Sequence, residues 1–86
     1  MKSLIKNYID LLSIEKIEEY TLKNNIKLTK DEIEYLLDLI KNNYEDIIKN
    51  DEKYIREIKN NISNTESKKI IELYLKYKNK YKGYLF

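Results

Sequence analysis

The segment LTKDEIEYLLDLIKNN, Leu28 to Asn43, carries the clearest helix signal in the chain. The Thr29 hydroxyl is placed to accept the backbone N–H of Glu32 while the Glu32 carboxylate reaches back to Thr29, and Leu28 can pack on Ile33. Together these make a capping box with a hydrophobic staple, the strongest local signal for a helix start. Asp31 and Glu32 also suit the positive end of a helix dipole. Ile33, Leu36, Leu37 and Ile40 then recur at helical spacing and form the expected buried stripe. The stripe extends to Tyr44, Ile47 and Ile48, but Asp51 takes the next inward position and Asn42-Asn43 offers an earlier exit. A break is therefore expected between Asn42 and Asn50.

Working outward, the same periodicity and punctuation recur on both sides. Lys2 to Leu11 reads as a helix with Leu4, Ile5, Tyr8, Ile9 and Leu12 on one face. Ser13 is a good N-cap for a second helix over Ile14 to Lys23, which would bury Ile14, Ile17, Tyr20 and Thr21. Asn24-Asn25 supplies a residue suited to the left-handed conformation that ends many helices. Beyond the central stretch, Asp51 to Ile62 presents Tyr54, Ile55, Ile58 and Ile62. Ser63 and Glu66 are spaced for a second capping box. The final helix, Thr65 to Lys82, carries Ile70, Tyr74, Tyr77 and Tyr81 and stops at Gly83. No linker is long enough to divide the chain. The expected architecture is all-α, a compact bundle of about five short helices forming a single domain over 1–86.

Composition agrees and excludes much chemistry. The 86 residues include no Cys, His or Pro and one Gly. A zinc knuckle, a redox pair, a cysteine nucleophile and an imidazole base are all closed to this chain. A P-loop or dinucleotide fingerprint needs glycines it lacks. With no Pro and one Gly, tight β-hairpins would rest on Asn and Asp alone, which argues against an all-β fold. No cofactor is expected, and no enzymatic activity. Lys, Asn, Ile and Tyr have codons built from A and T alone, so base composition accounts for their number without any binding role. Their placement is more informative.

The apolar runs are far shorter than the ~20 residues a membrane span requires, so no membrane span is expected. In MKSLIKNYIDLLS, Lys6, Asn7 and Asp10 interrupt the apolar core of a secretory signal. A cytoplasmic location is the expectation.

Ile14 to Asn42, the short helix, the NNI turn and the LT-capped helix, resembles the YqfT-like family of small helical proteins from low-GC Gram-positive bacteria. The resemblance extends, with YIREIKNNIS and the lysine-rich final helix, over most of the chain. It implies an all-helical intracellular bacterial protein with no assigned activity, and it carries over no catalytic or binding residues. The Tyr-rich end and Phe86 lie outside the family pattern.

Several binding chemistries can be weighed from charge. The two helices around Asn24 to Thr29 superficially resemble a DNA-binding helix-turn-helix. Residues 30–41, however, set Lys30 and Lys41 against Asp31, Glu32, Glu34 and Asp38, a net −2 facing phosphate. The pairs Glu34/Asp38 and Glu15/Glu19 are spaced to share a divalent cation, but they fall off the apolar stripes and read as solvated helix faces.

The chain is polarised. Residues 1–66 hold eleven basic and fourteen acidic groups, net −3, whereas residues 67–86 hold six lysines and Glu72, net +5. Lys69, Lys76 and Lys80 fall along one flank of the last helix and Lys78 and Lys82 along the other, with tyrosines between. This pattern suits single-stranded nucleic acid, through phosphate contact and base stacking, or an anionic membrane surface. It equally suits a helix C-terminus, where lysines oppose the dipole and their stems cover apolar edges. Tyr35 and Leu39, four apart and away from the main stripe, form a candidate partner surface unless they pack under a neighbouring helix. The reading as a whole is a protein–protein interaction module with an unidentified partner or a second copy of itself. The alternative is a nucleic-acid-binding accessory protein using the last helix.

Overall fold

In the computed structural model, which describes residues 2–80 and side chains from Lys6 onward, five helices follow in order. They are α1 (Lys2–Asp10), α2 (Ile14–Lys23), α3 (Lys30–Lys49), α4 (Asp51–Asn61) and α5 (Asn64–Lys80). There is no strand among the described residues. The protein is a small all-α domain with a radius of gyration of 12.4 Å, close to the ~12 Å of a compact chain of this length. Among the described residues no helix is long and apolar enough to cross a membrane.

Local chemistry sets most boundaries where expected. Ser13 Oγ accepts the Lys16 N–H at 3.2 Å, capping α2. The Thr29 capping box is complete: Thr29 Oγ1 accepts from Glu32 N at 3.2 Å, and Glu32 Oε1 accepts from Thr29 N at 2.9 Å. Asn25 has φ of 60°. Its N–H donates to Leu22 O and the next N–H, Ile26, donates to Thr21 O at 2.8 Å. That pair of bonds is a Schellman closure with Asn in the left-handed position usually held by glycine.

Two boundaries differ from the sequence reading. The α3 helix runs through Asn42-Asn43 to Lys49, so the break falls at Asn50, the far edge of the expected window. Asn43 Nδ2 donates to Leu39 O within the helix instead of ending it. At the other junction Glu66 does not close a box on Ser63. Its Oε2 accepts the Lys27 N–H at 2.9 Å, and the Ser63 N–H goes to Glu32 Oε2 at 2.9 Å. The expected stop at Gly83 lies outside the described residues.

The third helix is the centre of the bundle. α1, α2 and α4 pack against it, and α5 packs on α4. The core comprises Ile17, Ile26, Ile33, Leu36, Leu39, Tyr54 and Ile62. Ile33 and Leu36 are buried as expected, whereas Leu37 and Ile40 are half-buried and Leu39 is buried in their place. Contact with neighbours on two sides widens the covered arc of α3 beyond one stripe. The buried Thr21 and Ser67 hydroxyls donate to Glu18 O and Asn64 O, so neither is stranded away from water. Tyr8, expected to face inward, is 74% exposed.

Candidate interaction surfaces

The Tyr35 and Leu39 pair does not form a surface. Leu39 is 8% exposed and belongs to the core. Tyr35 is half-buried, and its phenol oxygen accepts from Asn61 Nδ2 of α4 at 3.3 Å. Burial and the nearby Glu57 carboxylate raise the Tyr35 pKa against the pull of that bond. The two side chains pack beneath neighbouring helices because α3 is covered on more than one side, so they offer no partner surface.

The lysines of α5 divide into different roles. Lys78 pairs with the Asp51 carboxylate at the start of α4, which also accepts from Tyr74 Oη at 3.4 Å. The Lys78 hydrogen bond leads the effects that hold Asp51 below the usual carboxylate range, against its burial. Burial, then the Asp51 charge, pushes Tyr74 up to about 12. Lys78 therefore fastens α5 to α4. Lys69 reaches the other way, donating to Asn25 O at 3.1 Å and lying 3.7 Å from Glu66 Oε1. Lys76 and Lys80 are exposed, and Lys82 lies outside the described residues. Of the five candidate lysines, the four described thus divide into Lys69 and Lys78, which reach Asn25 and Asp51, and Lys76 and Lys80, which are exposed.

What the structure does bring together is α5 and the end of α2. Asn24, Ile26, Lys69, Glu72, Leu73 and Lys76 line a shallow groove of about 240 Å³. Next to it the Tyr20 and Tyr77 rings meet at a centroid distance of 6.3 Å with their planes tilted by 43°. Tyr20 stands one turn from Lys16 and from Lys23, so all three share a face of α2. On α5, Leu73, Tyr77 and Lys80 share a face in the same way. Sequence reading placed Tyr20 in the core and gave Lys16 and Lys23 no role. Tyr20 is 43% exposed and meets Tyr77 of α5 instead.

The remaining polar cluster is structural. Tyr54 Oη donates to Asp46 Oδ2 at 2.6 Å and to Asn43 Oδ1 at 3.3 Å, while Asn50 Nδ2 donates to Asp46 Oδ1 at 2.6 Å. These bonds hold the Asp46 carboxyl below its ordinary range, and the Asp46 bond pushes the Tyr54 phenol up to about 12. The network clamps the corner between α3 and α4. A carboxylate kept ionised in this way is poorly suited to acid catalysis at neutral pH. Among the described residues no group of three or more Asp, Glu, His or Cys is placed to hold a metal ion.

In comparisons with known proteins, no family model, curated protein or solved structure matches the chain.

Proposed function

We propose that this chain is a non-enzymatic, cytoplasmic protein–protein interaction module, and that membership of the YqfT-like family is part of the same reading. The observation that carries it is the apolar pair at the end of α1. Tyr8, in the last turn of α1, is 74% exposed, and Leu11, in the turn that follows α1, is 65% exposed; among the described residues α1 packs chiefly on α3. Single exposed apolar residues need no explanation, but adjacent large ones favour a partner that removes them from water. Leu22 on α2, 57% exposed, adds to the apolar area available in the N-terminal third. The partner is a second copy of the chain or another protein.

The test is crosslinking and pull-down from the native cell, with and without nuclease, using wild type and a Tyr8→Glu/Leu11→Glu variant. A protein recovered in both nuclease conditions and lost with the double variant, at unchanged helicity, supports the reading. Equal recovery with wild type and variant overturns it.

A further inference from the structure

We propose that the crossed bonds between the α2–α3 loop and the α4–α5 turn form one clasp, so that the two segments open together and the opening uncovers the deepest part of the core. Lys27 N donates to Glu66 Oε2 at 2.9 Å, Ser63 N donates to Glu32 Oε2 at 2.9 Å, and Lys69 Nζ donates to Asn25 O at 3.1 Å. Each bond joins residues 25–32 to residues 63–69, across 39, 31 and 44 positions of the chain respectively. The clasp is separate from the α1 pair and does not depend on it.

The bonds close into a ring. Glu66 holds Lys27, and further along the same loop Thr29 N donates to Glu32 Oε1 at 2.9 Å. Glu32 holds Ser63 through its other oxygen, and Ser63 begins the turn that returns the chain to Glu66. Breaking one link leaves a backbone N–H without an acceptor and frees the loop that presents the next link, so the remaining bonds weaken with it. The links flank the least accessible of the described side chains. Ile26, between Asn25 and Lys27, and Ser67, next to Glu66, are each 1% exposed, and Ile62, next to Ser63, is 4% exposed. The shallow groove runs along the same seam, with Asn24 and Ile26 contributed from one side and Lys69, Glu72 and Leu73 from the other. Parting the clasp therefore opens that groove down to Ile26. Local openings of this kind, cheaper than global unfolding, are read by amide exchange and by labelling of buried groups.

The experiment combines both readouts on the full chain, with helicity monitored for every variant. The sequence has no cysteine, so Ser67→Cys supplies a single thiol at a buried position for a thiol-reactive aromatic disulfide. Glu66→Ala is expected to speed amide exchange at Ser63, and Glu32→Ala at Lys27, by roughly tenfold or more, although neither substitution touches that bond. Glu66→Gln, which keeps an acceptor oxygen, is expected to retain most of the protection. Thiol labelling should quicken by a similar factor in either alanine variant. In Glu32→Ala/Glu66→Ala it should stay within about threefold of the faster single variant, because coupled sites do not add. Tyr54→Phe, which loses a carboxylate bond at the α3–α4 corner, is expected to change labelling by less than about threefold. Exchange at the wild-type rate at Ser63 in Glu66→Ala, or at Lys27 in Glu32→Ala, overturns the proposal. So do labelling factors that multiply in the double variant. Labelling quickened as much by Tyr54→Phe as by Glu66→Ala also overturns it, since the thiol would then be reached only by global unfolding.

Discussion

The Glu32 carboxylate in α3 accepts the backbone N–H of Ser63, 31 residues further along the chain, at 2.9 Å. The same side chain completes the capping box on Thr29 through its other oxygen. Glu66, at the equivalent third position of α5, returns the favour by accepting the N–H of Lys27 just ahead of α3. Each helix start thus helps to satisfy a backbone donor in the loop beside the other, and the two junctions are joined by a pair of crossed bonds. Backbone N–H groups left without partners at such junctions are costly.

Glu32→Ala removes two bonds at once and is expected to destabilise the fold by about 1–2 kcal/mol. Burial raises the Glu32 pKa, but the bonds from Thr29 and Ser63 outweigh it and hold the carboxyl below its ordinary 4.5. Because the folded value is depressed, the stabilisation is complete above about 4.5 and is lost as pH falls through the lower folded value. Denaturant titrations between pH 2 and pH 6 should therefore show a shallower acid loss in Glu32→Ala than in wild type.

Thr29→Ala removes the hydroxyl that accepts from Glu32 N and is expected to cost about 1 kcal/mol. Thermal melts of wild type and variant should differ by several degrees for a domain of this size. Superimposable melts would show that the cap contributes nothing.

Tyr54 gives the chain an alkaline limit. Its phenol is neutral in the fold up to about 12, against 10.0 in the unfolded chain, chiefly because it donates to Asp46. A raised folded value means that the stabilisation is whole below pH 10 and drains away as pH climbs from 10 toward 12. Tyr54→Phe cannot make the bond and cannot ionise. It is expected to be less stable than wild type at pH 7 and to lose less on going to pH 11, measured by urea midpoints at both pH values.

Ile26 stands in the loop between α2 and α3, yet it is only 1% exposed. Ile26→Ala is expected to cost about 2–4 kcal/mol, as a core truncation does. Leu22→Ala, four residues earlier on a helix but 57% exposed, should fall within about 0.5 kcal/mol of wild type. Comparable losses at the two positions in denaturant melts would contradict the placement of Ile26 at the heart of the core.

The helices and most of their ends were legible in the chain itself. Ser13, Thr29 and Asn25 act through atoms a few residues away, so local chemistry alone sets where α2 starts and stops and where α3 begins. Glycine and proline scarcity, with apolar spacing of three and four, determined an all-α fold. Relations between distant segments arise only on packing. Leu39 passed from a candidate surface to the core because α3 is flanked by several helices, and a periodicity rule assumes one covered stripe. Glu66 turned from its own cap to Lys27, and Lys69 and Lys78 were drawn to Asn25 and Asp51, because those partners lie 39, 44 and 27 residues away. The tyrosine contact between α2 and α5 belongs to the same class. Caps and helical spacing are short-range and written in order along the chain, whereas a surface is made by whichever residues packing leaves side by side.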